Sequence, residues 1–148
     1  MSSTHLSLHY HIVFSTKNRQ TFISDNFRPK LHAFLGGCVK MIGGVPIAIG
    51  GTNDHVHLLI GLRATHQLSN VVKEIKVASS KWIHEEILLK EFAWQIGYGA
   101  FTVGISNLEQ VKKYVLNQEN HHLTKNFETE YVEMLNIAKV EYDEKHLW

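Results

Sequence analysis

Two pairs of alternating histidines carry the first chemical signal in this sequence, His9-Tyr10-His11 and His55-Val56-His57. On a strand, residues i and i+2 point to the same face. Each pair can therefore present two neutral imidazoles side by side, a usable part of a metal site. Hydrogen-bonded histidines on a polar strand edge would show the same spacing, and spacing alone does not choose between the pairs. The second signal is Tyr114 followed by Gln118. At i and i+4 of one helix they share a face, one turn apart. A tyrosine becomes a covalent nucleophile when a base or metal assists it. An amide oxygen can complete a metal site beside imidazoles. The plainer alternative is a ring packed on the core with a polar neighbour. His121 and His122 follow, placed either to add ligands or to meet the negative end of the helix.

Basic residues offer contacts to phosphate. Lys17 and Arg19 flank a polar turn, and Lys73, Lys76 and Lys81 recur along a helical stretch with Ser79, Ser80 and Trp82. A solvated basic face explains the same pattern equally well. Gly97-Tyr98-Gly99 is a tight bend, suited to base stacking or to simple chain reversal.

These residues need elements to hold them. Residues 5–15 alternate, with Leu6, Leu8, Tyr10, Ile12 and Phe14 on one side, so they read as a strand. Residues 25–42 read as a helix capped by Ser24 or Asp25, with Pro29 in its first turns and an apolar stripe of Leu31, Phe34, Leu35, Val39 and Ile42. A strand over 45–50, a hairpin turn over 51–54 and a returning strand over 55–62 come next. A helix spans 67–89, with Ser69 as an alternative cap. A strand over 92–105 is interrupted by Gly97 and Gly99. Asn107 caps a helix running to 120, and an amphipathic helix fits 127–141 through Tyr131, Leu135 and Ala138. The order β-α-β-β-α-β, then C-terminal helices carrying the tyrosine, is an α+β, ferredoxin-like plan: an antiparallel sheet with helices on one face. Such a fold does not name a function.

The length of 148 residues suits one domain, and 44% hydrophobic with 20% charged residues excludes a disordered chain. No apolar run is long enough for a membrane span, and the first residues lack the charged and apolar regions of a signal peptide. Cys38 is alone, so no internal disulfide forms, and a reducing cytoplasm is the expected location. Its apolar neighbours make it a small buried hydrophobe. A net charge of +1 leaves nucleic-acid binding to local patches.

Taken in order, these pieces resemble the IS200/IS605-type Y1 transposases, single-strand nucleases of the HUH class, and the related transposases associated with repeated palindromes (REP) in bacterial genomes. Residues His9 to Lys17 are similar to the first strand of that family. Asp54 to Leu59 resembles its His-hydrophobe-His motif, Trp94 to Phe101 the stretch before its last strand, and Tyr114 to His122 its catalytic helix. The resemblance covers nearly the whole chain. It implies that Tyr114 is the nucleophile and that His55, His57 and Gln118 hold Mg²⁺ or Mn²⁺, which selects the second histidine pair over the first. His9, His11 and His122 are left without a role. It further implies cleavage and rejoining of single-stranded DNA with hairpin ends through a 5′-phosphotyrosine. A homodimer is implied too, with the glycines and Ser106-Asn107 as a hinge that sets the tyrosine helix on its own or its partner's histidines. The alternative of another class is a non-catalytic hairpin-DNA- or RNA-binding protein of the same fold, which would form no covalent adduct.

Overall fold

The computed structural model describes residues 3–148. Four strands form one antiparallel sheet in the order β2-β3-β1-β4: β1 (His9–Ser15), β2 (Val45–Gly51), β3 (His55–Gly61) and β4 (Gly99–Thr102). Alternation along the two central strands sorts their side chains. Ile12, Phe14, Val56, Leu58 and Ile60 face one side and pack against α1 (Arg28–Met41) and α2 (Leu68–Trp82) through Leu31, Leu35, Val71, Val72 and Ile75. This is the expected ferredoxin-like arrangement.

The opposite face is covered as well, which is why all seven residues of β3 are buried. Its cover is α3 (Leu108–Leu116), the single turn α4 (Gln118–His121) and α5 (Phe127–Ile137). Val13 of β1 packs with Phe127, Tyr131 and Leu135 of α5. Leu59 of β3 and Ala48 of β2 pack with Val103 and Val115. His55 and His57 point to this second face, under the helices that carry Tyr114 and Gln118.

The elements depart from the sequence expectations at their ends. The β1 ladder begins at His9, not His5. Neither Ser24 nor Asp25 caps α1; Phe27 takes the cap position without a side-chain bond, and Asp25 pairs with Arg28 at 2.9 Å. Ser69 does not cap α2, where Gln67 holds the position. The helix expected over 67–89 stops at Trp82, and a π turn over Ile83–Ile87 ends at Leu88 with φ 65. The expected strand over 92–105 shrinks to four residues. Trp94 bridges Thr16, the chain leaves the sheet at the glycines, and the ladder resumes only at Gly99. Asn107 precedes α3 without a side-chain cap bond. Asn126, unforeseen, does cap α5 by accepting from the Thr129 amide at 2.9 Å.

One close approach fixes the tyrosine helix to the sheet. A Cβ at Gly50 in β2 would run into the backbone carbonyl oxygen of Val115 in α3. Gly50→Ala must lift α3, so thermal unfolding should show a loss of about 1–3 kcal/mol. An unchanged melting temperature would mean that α3 is not seated this closely.

Candidate active site

The site grows from the pleat of β3. His55 and His57 are both fully buried, side by side on the second face, with ring centroids 5.0 Å apart. Behind His55, the Asp54 carboxylate lies 2.8 Å from Nδ1. Accepting the Nδ1 hydrogen leaves His55 Nε2 with its lone pair facing inward, the tautomer a metal ligand needs. Behind His57 stands a different group. His11 of β1 sits diagonally across the strand pair, and its Nε2 is 2.7 Å from His57 Nδ1. The first histidine pair thus divides: His11 supports the site, whereas His9 lies farther along β1, paired with Gly61.

From the helical layer comes Gln118. Its Nε2 donates to the Tyr114 carbonyl at 3.2 Å, which orients Oε1 toward His55 Nε2 at 3.1 Å. Tyr114 and Gln118 were expected a turn apart on one helix. Instead, α3 ends at Leu116, Asn117 adopts ψ 27, and Gln118 opens α4. The break keeps both residues over the histidines. His122 Nε2 adds a further nitrogen 3.1 Å from Gln118 Oε1. His121 turns the other way, its ring 4.6 Å from that of Tyr114.

The centre of the cluster is a residue that the sequence reading did not single out. Glu130 of α5 is 3% exposed, and its Oε1 lies 3.1 Å from His57 Nε2, 3.3 Å from His122 Nε2 and 3.7 Å from His55 Nε2. The Tyr114 hydroxyl donates to its Oε2. Its position carried a signal: Glu130 falls on the apolar stripe of α5 with Phe127, Tyr131 and Leu135, where a charge needs a partner.

Burial and neighbours set the protonation states. Burial, aided by nearby His55 and His122 against the pull of Glu130, holds His57 down to about 4, so it is neutral and able to ligate at pH 7. Burial and His57 hold His11 down to about 3. Burial alone would protonate Glu130, yet hydrogen bonds from His122, His57 and Tyr114 hold its carboxyl well below the usual range. Burial first, then the bond to Glu130 and its charge, pushes the Tyr114 phenol up, so it stays protonated at neutral pH. The neighbouring Lys112 and Lys113 do not reverse that direction.

These donors suit a divalent cation. His55 Nε2 and Gln118 Oε1 face each other as acceptors at 3.1 Å, with the Glu130 carboxylate alongside. His55, His122 and Glu130 each bring one ligand atom within 4.8 Å of the others. A cation among them turns mutual repulsion into coordination.

The family model described as "Transposase IS200 like" matches residues 4–118. The chain belongs to this family of IS200-like transposases. The ISDra2 transposase TnpA of Deinococcus radiodurans is 25% identical over 119 residues, covering 76% of this chain and 85% of that protein. A solved transposase of Deinococcus radiodurans R1 aligns with a TM-score of 0.65 at 26% identity, over 80% of this chain and 96% of its own. A REP-associated tyrosine transposase bound to a REP hairpin shares the fold, with a TM-score of 0.55 at 16% identity over 78% of this chain and 70% of its own. Of the clustered side chains in this IS200-like transposase, His11, His55, His57, Tyr114 and Gln118 lie inside the family match; His122 and Glu130 lie beyond its end.

The basic residues are placed elsewhere. Lys73 and Lys81 are exposed on α2, which covers the sheet face opposite the site. Lys76 is occupied: its ammonium donates to the carbonyls of Gln95 at 2.8 Å, Ile96 at 3.3 Å and Gly97 at 2.6 Å. It therefore clamps the Gly97-Tyr98-Gly99 bend rather than standing free. Arg19 pairs with Glu128 at 3.1 Å and lies over the Trp148 ring. Lys17 is exposed beside it. Cys38 is half-buried against the α1–α2 core, where burial raises its thiol pKa. Among the described residues, no helix is long and apolar enough to cross a membrane.

Proposed function

We propose that this IS200-like transposase cuts and rejoins single-stranded DNA, with Tyr114 as nucleophile and a divalent cation held by His55, His57 and Gln118. The observation that carries this reading is the convergence, within one chain, of the Tyr114 hydroxyl, the His55 and His57 imidazoles and the Gln118 amide oxygen around the Glu130 carboxylate. When bound, Mg²⁺ or Mn²⁺ polarises a non-bridging phosphate oxygen and offsets the charge that builds there. The remaining work belongs to the chain. Asp54 and His11 orient the two ligand imidazoles. The break at Asn117 presents Tyr114 and Gln118 to the same spot. The tyrosyl oxygen bonds to phosphorus, the bond from phosphorus to the 3′ oxygen breaks, and a 3′-hydroxyl strand leaves. The 5′-phosphotyrosine retains the bond energy, so the reverse attack rejoins strands without a nucleotide cofactor.

The substrate is a strand with hairpin ends, bound through stacking and phosphate contacts. Lys17, Lys73 and Lys81 supply contacts away from the reacting phosphate; Arg19 and Lys76 do so only by giving up their present partners. The enzyme works in the cytoplasm and as a homodimer. The glycines and Ser106-Asn107 before α3 are then the hinge by which it reaches either subunit's histidines, and in this structure it covers its own.

A hairpin-tailed DNA strand incubated with the protein and Mn²⁺ or Mg²⁺ should yield a covalent protein–DNA band on a denaturing gel. Chelation should abolish the band and leave hairpin binding. Tight hairpin binding with no adduct under either ion would select the non-catalytic binding protein instead.

A further inference from the structure

We propose that Glu130 and His122 complete the metal shell of this site, and that Glu130 spans from the ion to the nucleophile: Oε1 ligates while Oε2 holds the Tyr114 hydroxyl. The inference rests on the proposed metal-dependent reading and extends it to two residues that lie beyond the family match, which ends at 118.

The distances between ligand atoms support it. In an octahedral shell with bonds of about 2.1 Å, neighbouring ligands stand about 3.0 Å apart. His55 Nε2 to Gln118 Oε1 is 3.1 Å, Gln118 Oε1 to His122 Nε2 3.1 Å, His122 Nε2 to Glu130 Oε1 3.3 Å and Glu130 Oε1 to His57 Nε2 3.1 Å. These contacts form a chain of ligand-to-ligand edges; His57 joins it through Glu130, outside the closer group of His55, His122 and Glu130, and would move inward to share one ion with them. A buried carboxylate with three imidazoles around it is otherwise a costly feature of an apolar helix face. Five protein ligands would leave room at the ion for a phosphate oxygen. Three imidazoles also bias the choice of ion. Mg²⁺ keeps to oxygen ligands and retains water, whereas Mn²⁺ accepts imidazole nitrogen readily. The site should therefore prefer Mn²⁺ to Mg²⁺. Glu130 contributes position too: with one oxygen at the ion and the other on the Tyr114 hydroxyl, it fixes the distance between the nucleophile and the metal-bound phosphate.

The test uses the full chain without DNA. Calorimetric titration should show Mn²⁺ binding at least about tenfold tighter than Mg²⁺, and about tenfold or more weaker in Glu130→Gln and in His122→Asn. Electron spin-echo measurements on the Mn²⁺-loaded wild type should count three coupled imidazole nitrogens, falling to two in His122→Asn. The wild-type count requires no variant to fold. Unchanged or tighter Mn²⁺ binding in Glu130→Gln would overturn the role of Glu130, because the carboxylate would then only fill the space of the ion. Two nitrogens in the wild type would overturn His122. Either result, with binding still lost in His55→Ala, leaves the proposed function standing. Absence of any ion binding by the wild type would overturn both.

Discussion

Tyr114→Phe should eliminate strand cleavage and the covalent DNA adduct while the protein folds and binds hairpins almost as before. The substitution removes one oxygen. What that oxygen does in the ground state is donate a hydrogen bond to Glu130 Oε2. Losing it costs about 1–2 kcal/mol of stability, because the carboxylate keeps His57 and His122 as partners. The cost to the reaction is far larger. A fixed nucleophile beside the phosphate replaces a bimolecular encounter, and its removal should lower the rate by at least about 10⁴-fold. No other tyrosine is placed to substitute. Tyr10 packs on the α1–α2 face, Tyr98 lies near the Lys76 ammonium, and Tyr131 is buried against Phe127 with its ring over Gly99. Tyr142 bonds Asn136 at 3.2 Å near the end of the chain. Mass spectrometry of the trapped wild-type adduct should place the phosphate on Tyr114. An adduct that persists in the Phe variant, or maps to another tyrosine, defeats the assignment.

The phenol is protonated at neutral pH in this pocket, so in the proposed reaction the attacking oxygen would arise during the step rather than stand ready. That separates two explanations of the cluster around Tyr114. The adjacent cations Lys112 and Lys113, acting alone, would favour the phenolate throughout. The observed environment does the reverse, since burial and the Glu130 carboxylate both favour the phenol.

How far the sequence led can be judged residue by residue. Period-two alternation correctly placed Ile12 and Phe14 opposite His11 and Val13, and put His55 and His57 on one face, because strand geometry leaves no other choice. The element order gave the sheet topology because the split β-α-β plan sets β1 between β3 and β4. Element ends were less legible. Asn117 breaks the expected helix although its composition permits helix throughout; the break comes two residues after Val115, whose carbonyl closes on Gly50 of the sheet, a tertiary contact that local pattern does not show. The strand expected over 92–105 is mostly loop because Lys76 ties its carbonyls from another element, a contact invisible in local pattern. Glu130 was missed because, with Glu128, Thr129 and Glu133 beside it, it looks like part of a solvated helix face; only the stripe position betrays it. The lysines of α2 were legible as a basic face, but not that the face lies across the sheet from the site.

The second large effect is expected from replacing both His55 and His57 by Ala. Ion binding should vanish, and with it cleavage, whichever divalent cation is supplied. Both imidazoles are fully buried, so the double variant also leaves two small cavities and removes partners from Asp54, His11 and Glu130. Stability without metal should fall by about 2–5 kcal/mol through those cavities and newly unpaired polar groups. Loss of activity alone would therefore not distinguish metal loss from partial unfolding. The shift of melting temperature with Mn²⁺ does. A ligand that binds only the folded state adds RT ln(1 + [L]/Kd), about 2.7 kcal/mol at a hundredfold excess over Kd. The wild type should therefore melt several degrees higher as Mn²⁺ is raised, and Tyr114→Phe should do the same because its ligands are intact. The double alanine variant should melt lower than the wild type and stay flat across the same titration. Its circular dichroism at low temperature should still report the α+β fold, since the α1–α2 core on the other sheet face does not include either histidine. If the double variant still cleaves, or if its melting temperature still climbs with Mn²⁺, the ion is held by other residues and His55 and His57 are structural.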